Sequence, residues 1–507
     1  MDRSLGMADL LALLIDPDTY RSWDTLLDVH PPVPHLEAET YAAQLERAAA
    51  KSGSDESVLT GSARIRGHEV AIVAGDFDFL AGSIGVVAGE RLAAAIERAQ
   101  RRRLPLLALP VSGGTRMQEG TIAFLQMLKV AGAVQSFRAA GLPYVVYLRH
   151  PTTGGVLASW GSLGQLMLAE PGALVGFLGP RVYEALTGQP FPAGVQVSEN
   201  LAAHGVIDAV VAPAELAAVV ARFVAVAGPA SRAIPLLDPA AEVAEPPAGV
   251  DAWDSVVASR DVRRPGLREL LAAAATDVTE LHGTGEGEVD QPAVVVALAR
   301  LTGVPVVLLG QDRAAQRAGS PLGPAALRKA RRGMRLAGRL RLPVVTVIDT
   351  TGADLSPAAE EGGLAAEIAR CLMDLTTLAV PVLSFLLGAG TGGGALAFLP
   401  ADLVLCAQHG WLSPLPPEGA SVILHRTPDR AAELARWQGV ASWELRRNRI
   451  VDRVIPEHDS AADEPEPFLC RVATVLAQEL RALVAQDAHT LVLNRSRRWR
   501  EIGTVGH

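Results

Sequence analysis

Residues 383–400, LSFLLGAGTGGGALAFLP, put Gly388, Gly390 and the run Gly392–Gly394 directly behind an apolar stretch, with no charged side chain among them. Bare backbone there offers N–H groups, and several chemistries compete for it. Gly388, Gly390 and Gly393 fit G-x-G-x-x-G, but a dinucleotide site wants an acid about 20 residues further on, and Asp402 comes too early. A phosphate loop wants G-K-[ST], and no lysine is near. The uncharged run from Leu375 to Ala401 is long enough to span a bilayer, yet Pro381 and the glycines would break a lipid-exposed helix in its middle. Two readings remain. The glycines make a tight packing turn, or they leave N–H groups free for a developing oxyanion. A second turn, PTTGG at 151–155, closes on Gly154 and Gly155. Two such turns suit a reaction in which two carbonyl groups pass through enolates, one per turn.

Side-chain chemistry is scarce by comparison. His150 and His409 have no second ligand at metal spacing, so loop or core hydrogen bonding is expected of them and no metal is predicted. Cys371, Cys406 and Cys470 form no C-x-x-C pair; three buried thiols in a reducing cytoplasm are expected. No Ser/His/Asp or Cys/His nucleophile system stands out.

The elements that must hold these turns come in two copies. RRLPLLALPVSGGTRMQEG (102–120) is echoed by RLRLPVVTVIDTTGADLSPAAEEGG (339–363), and GLPYVVYLRHPTTGGVLASWG (141–161) by AVPVLSFLLGAGTGGGALAFLP (379–400). Pro105 pairs with Pro343 and Pro143 with Pro381; allowing one residue sets Gly154–Gly155 opposite Gly393–Gly394. LPLLALPV, LPYVVYL, LPVVTVID and VPVLSFLL are short continuous apolar runs, as strands covered on both faces require. Helical stretches such as 88–103 and 324–341 separate them, so the fold class is α/β, duplicated in tandem. The boundaries read as an N-terminal extension 1–34, a first domain 35–226, a Pro/Ala-rich linker 227–250, a second domain 251–460 and a helical tail 461–507. Net charge is −9 and pI about 5.7, which argues against a nucleic-acid partner. Acidic residues interrupt the first apolar run and no small-residue cleavage site follows, so no signal peptide is expected and the protein is placed in the cytoplasm, off the membrane.

At this point the residues resemble a known family. SGGTRMQEG, PTTGGVLASWGSLGQLMLAEPGALVGFLGPRV and ENLAAHGVID look like the β half of the carboxyltransferase of biotin-dependent acetyl-CoA carboxylase. WDSVVASRDVRRPG, GPAALRKARRGMRLAGRLRLPVVTVIDTTGA and LGAGTGGGALAFLPADLVL look like its α half. The resemblance runs from about residue 35 to 460 and is nearest to fused β–α subunits of actinobacterial acyl-CoA carboxylases. It implies a crotonase-like β-β-α spiral in each half. It also implies transfer of a carboxyl group from carboxybiotin, through a biotin enolate that takes the α-proton of an acyl-CoA, with no side-chain base and a place in fatty-acid synthesis.

Carried over by position, Gly154 and Gly155 would donate to the acyl-CoA thioester oxygen, and Gly393, Gly394 and Ala395 to the biotin ureido oxygen. Gly82, Gly85, Gly113, Gly114, Arg116 and Met117 would shape the CoA side, each with a packing or ion-pair reading beside it, and Ala397 would line the acyl pocket. The arginines of 328–341 would attract CoA phosphates or an acidic carrier, unless they form a solvated helix face. No Met-Lys-Met occurs, and the chain's three lysines are Lys51, Lys129 and Lys329. Biotin must therefore arrive on a separate carrier, with a partner biotin carboxylase that uses the ATP. In the family the site lies between the N-half of one subunit and the C-half of another, which implies at least a homodimer and often a hexamer. The chain departs from the family pattern in lacking a four-cysteine zinc ribbon, in DTTGA for DTPGA at 349–353, and in Ala389 where glutamate is usual. A decarboxylase of the same fold and a non-catalytic structural paralogue are the alternatives.

Overall fold

A computed structural model describes residues 5–25, 38–229, 243–246 and 248–503. Part of the expected N-terminal extension and most of the expected linker lie outside the described residues. The chain forms two compact units, Met1–Ser231 with Gly285–Glu288, and Arg232–Thr284 with Val289–His507.

The first unit carries strands β1 (Arg21–Ser22), β2 (Val58–Ile65), β3 (His68–Gly75), β4 (Leu106–Leu109), β5 (Tyr144–Leu148), β6 (Thr152–Thr153), β7 (Leu166–Ala169), β8 (Val175–Gly176) and β9 (Ala209–Val210). Seven of them make one sheet in the order β1-β2-β3-β4-β5-β7-β9, antiparallel as far as β3 and parallel beyond it. β6 and β8 form a separate parallel pair. The second unit carries β10 (Ala275–Leu281), β11 (Val294–Leu301), β12 (Val304–Gln311), β13 (Val344–Thr350), β14 (Val382–Thr391), β15 (Leu403–Ala407), β16 (Trp411–Ser413) and β17 (Arg453–Ile455). Its sheet runs β10-β11-β12-β13-β14-β15-β17, with β16 added to β14. The four Pro-started apolar runs are β4, β5, β13 and β14, and every residue of these strands is buried.

The duplication reaches the backbone angles. Hairpins β2–β3 and β11–β12 turn on Arg66–Gly67 (φ 47° and 84°) and Thr302–Gly303 (φ 50° and 84°). Two successive positive φ values are what a two-residue turn matched to strand twist demands. The following helices, Val86–Arg102 and Pro324–Leu340, start at Gly85 and Gly323 and stop at Arg103 and Arg341, both left-handed at φ 53° and 54°. Each stop is followed by Leu-Pro, which cannot continue a helix and opens the next strand.

Two expectations need correction. The arginines of Pro324–Leu340 are mostly used internally: Arg331 pairs with Glu367 and Asp374, Arg328 with Glu367, and Arg332 donates to the His282 and Gly283 carbonyls. Lys329 is buried against Asp290 at 2.7 Å. Cys371 and Cys406 are buried but Cys470 is exposed on the helix Pro465–Val484, because its position falls on the solvent face. The final helix, Ala488–Glu501, is fastened by fully buried Arg495, which donates to the carbonyls of Leu375 (2.6 Å), Leu378 (2.9 Å) and Val380 (2.8 Å) and to Asp402. Among the described residues no helix is long and apolar enough to cross a membrane.

Candidate functional site

The first glycine turn leaves β6 at Gly154, whose φ of 66° suits glycine. The carbonyl of Gly154 accepts from Ala158 N–H at 3.1 Å, closing one helical turn. Inside that turn the N–H groups of Gly155 and Val156 meet no acceptor among the described residues. Gly154 itself donates to the Phe177 carbonyl at 2.8 Å, so its N–H is occupied. Among these residues the N–H groups without an acceptor are those of Gly155 and Val156, and that of Gly154 is spent on the Phe177 carbonyl.

The second turn repeats this geometry. The interval from Pro143 to Pro381 also carries Gly154 to Gly392, and their φ values are 66° and 65°. No allowance of one residue is needed, and Gly155 and Val156 correspond to Gly393 and Gly394. Gly392–Leu396 is a short helix capped by Thr391, which makes no side-chain cap bond. The second and third residues of a helix have no intrahelical acceptor, so the Gly393 and Gly394 N–H groups stay open. Ala395 comes next in the helix, where its N–H goes to the N-cap carbonyl. The Thr391 hydroxyl is buried and has no partner among the described residues. Two N–H donors and an uncommitted hydroxyl, with no charged group among them, suit a neutral carbonyl-type oxygen that gains negative charge.

Supporting residues explain why the glycines are glycine. A Cβ on Gly155 would sit 3.2 Å from Met127 Cγ, one on Gly393 2.8 Å from Ile368 Cδ1, and one on Gly394 2.7 Å from Leu322 Cδ2. Gly113 and Gly114 lie against the first turn, with the Cβ position of Gly154 3.2 Å from Gly114 Cα. Gly114 and Gly352 correspond by the same interval and both have positive φ, 117° and 133°. Gly82 and Gly85 are explained by packing: a Cβ at Gly82 would strike the Val111 carbonyl and one at Gly85 the Glu119 carboxylate.

Arg116 directs its hydrogen bonds to groups outside the first turn. It is 1% exposed, and its guanidinium is taken up by Glu56, the Ser57 hydroxyl (3.1 Å) and the Ser83 carbonyl (2.8 Å). Burial pulls its pKa down, but the bonds and charge of Glu56 and the neighbouring Tyr41 hold it above the ordinary value. Met117, next along, is 81% exposed. Ala397 is fully buried behind the second turn. His150 accepts the Leu174 N–H at 3.0 Å, and His409 lies near the Ser255 hydroxyl and the Asp459 carbonyl, so both are hydrogen-bonding residues of loop and core. Among the described residues no cluster of His, Cys, Asp or Glu is arranged to hold a metal.

Sequence reading missed Val156, Thr391 and two supports of the second turn, Gln311 and Asp349. Asp349 is 1% exposed, accepts the Ala389 N–H at 3.1 Å and faces Arg313 Nε at 3.4 Å. Burial pushes its carboxyl up, against the pull of Arg313 and Arg264. Constant-interval matching of the halves would have found Val156; nothing in the spacing marks the other three.

The carboxyl transferase domain family matches residues 22–490. A probable biotin-dependent acyl-coenzyme A carboxylase β3 subunit of Mycobacterium tuberculosis is 54% identical over 490 residues, 97% of either chain. The acetyl-coenzyme A carboxylase carboxyl transferase subunits β/α of Salinispora arenicola are 39% identical over 97% of this chain and 90% of theirs. Among solved structures, transcarboxylase 12S superimposes with a TM-score of 0.72 at 19% identity, covering 95% of this chain and 90% of that one, which confirms the crotonase-like fold expected of the two halves. A family match spanning nearly the whole chain, with relatives of this identity and coverage, makes the protein a member of the carboxyl transferase domain family.

Proposed function

We propose that the chain is the carboxyltransferase component of a biotin-dependent acyl-CoA carboxylase, working in fatty-acid synthesis in the cytoplasm. One observation carries the reading. Two turns at corresponding positions, Gly154–Ala158 and Gly392–Leu396, each keep two consecutive N–H groups uncommitted. Biotin, brought on a separate carrier with the ATP-using biotin carboxylase, would deliver the carboxyl group and accept the α-proton.

The work of this chain is then orientation and charge stabilisation. Gly155 and Val156 bind the thioester oxygen, and their donors strengthen as negative charge moves onto it. One such donor is worth about 2.7–4 kcal/mol of transition-state stabilisation. Gly393 and Gly394 hold the ureido oxygen in the same manner, with the Thr391 hydroxyl beside them. Being backbone groups, these donors do not titrate. Gly113 and Gly114 flank the first turn, and exposed Met117 would meet the CoA. Buried, small Ala397 permits an acyl chain longer than acetyl without requiring one.

Assembly of copies is part of the proposal. The helix Gly120–Ala139 exposes Phe124, Leu125 and Leu128, and Pro417–His425 exposes Val422, Ile423 and Leu424. Apolar faces of this kind mark interfaces, and transcarboxylase 12S assembles as a hexamer.

The test is the reverse reaction on the purified full chain, with malonyl-CoA or methylmalonyl-CoA and a free biotin derivative. Turnover is expected, and it should fall by about 100-fold or more in Gly155→Val and Gly394→Val, variants that displace the donors. A chain inert toward both thioesters, or folded variants as active as the parent, overturns the reading.

A further inference from the structure

Gly392–Gly394 is the one run of three consecutive glycines in the sequence. Glycine surrenders more conformational freedom on folding than any other residue, and three in succession have no side chains to hold them helical. Their N–H groups can act as fixed donors only if something outside the turn holds it. In the first unit the holder is local: the Ser159 hydroxyl donates to the Gly155 carbonyl at 2.6 Å, four residues back. The interval that joins the two halves puts Ala397 at the position of Ser159, so the second turn has no such hydroxyl.

Gln311, the last residue of β12, takes over that task. It is fully buried. Its amide Nε2 donates to the Gly394 carbonyl at 2.7 Å, and its Oε1 accepts the Asp349 N–H of β13 at 3.2 Å. The interval that carries hairpin β2–β3 onto β11–β12 gives Gly75 as its counterpart, so the first unit has no side chain there. Asp349 completes the support by accepting the Ala389 N–H, and a Cβ at Gly388 would fall 2.5 Å from its Oδ1. The ends of β12 and β13 thus grip the glycine strand on either side of the turn.

We infer that Gln311 is a positioning residue for the second turn, holding the Gly394 carbonyl so that the Gly393 and Gly394 N–H groups keep one direction toward the oxygen they bind. The inference rests on the two-turn carboxyltransferase reading and assigns the biotin side its own support, separate from the acyl-CoA side.

Two variants of the full chain test it. Gln311→Leu removes the donor, and misplacement of the turn is expected to lower kcat of malonyl-CoA-to-biotin transfer on the order of 10- to 100-fold. Affinity for CoA, measured directly by calorimetry, should stay within twofold, while binding of a biotin ester followed by saturation-transfer NMR weakens. Gln311→Glu adds a diagnostic. A protonated carboxyl keeps an O–H for the Gly394 carbonyl and an ionised one repels it, and burial beside Asp349 raises the pKa of the new carboxyl. Its activity should therefore rise as pH falls through that raised pKa, in a step the parent lacks, with the thermal midpoint checked at each pH. Biotin-side binding and kcat unchanged in Gln311→Leu, or equal losses on the biotin and CoA sides, overturns the inference. If Gly155→Val and Gly394→Val are also without effect, the functional reading itself has failed.

Discussion

Arg116→Met separates two explanations of a residue that family resemblance places beside CoA. In the structure the guanidinium is enclosed by Glu56, Ser57 and Ser83, with Tyr41 and Glu119 adjoining. Methionine approximates the aliphatic stem but abandons Glu56 and Glu119, which are 3% and 2% exposed. Removing one partner of a buried ion pair costs about 3–5 kcal/mol, because the charge left behind has no solvent. Glu119 keeps the Tyr41 hydroxyl and the Val86 N–H, so Glu56 bears most of the loss. The assay is urea unfolding read by hydrogen exchange in β2–β5, together with CoA affinity of the folded protein. The first unit should lose stability by that amount while CoA affinity stays within twofold. Adding Glu56→Gln should recover much of the loss by removing the stranded charge. An unchanged unfolding midpoint with weakened CoA binding would refute the argument and return Arg116 to the substrate.

Two other perturbations address the second unit. Arg495→Met leaves three carbonyls and Asp402 without their donor and should cost about 3–5 kcal/mol, seen as earlier proteolytic release of the helix Ala488–Glu501; equal cleavage rates for parent and variant would refute it. Burial would raise the Asp290 carboxyl, but His282, Lys329 and the Gly283 N–H outweigh that and hold its pKa well below the usual range. A depressed carboxylate pKa stabilises the fold fully above its unfolded value and progressively less as pH falls toward the folded one. The stability gap between parent and Asp290→Asn should thus be constant above about pH 5 and narrow as pH falls below about 4; a gap independent of pH in denaturant titrations would refute the assignment.

How much could be read beforehand depended on whether the determinant was local. Strands β4, β5, β13 and β14 were legible because an apolar run that starts at proline and is covered on both faces has few other conformations open to it. Both glycine turns were legible as turns. Their registers were not, since in Gly392–Gly394 no side chain distinguishes one position from the next, and only the positive φ at Gly392 marks where the turn begins. Arg116 was ambiguous for a different reason. Its partner Glu56 lies sixty residues away, and no spacing rule joins an arginine to a carboxylate across that distance. Cys470 was misjudged because a thiol follows whichever face of its helix it occupies, and residue type alone does not reveal that face.

The two halves have kept the donors and exchanged the means of holding them. Gly154 and Gly392 agree within a degree in φ, so the turn itself tolerates little change. The clamp tolerates more, because any buried donor that reaches a turn carbonyl will hold it. Ser159 does so from within its own turn, whereas Gln311 reaches across 83 residues from the end of a different strand. The difference has a mechanical consequence. The first turn can keep its shape as long as its own residues stay helical, but the second is rigid only while β12 and β13 remain paired at Gly310 and Val347 beneath it. Partial opening of the second sheet would therefore release the second pair of donors before the first. Substitutions near the end of β12 should act on catalysis at a distance from any reacting atom.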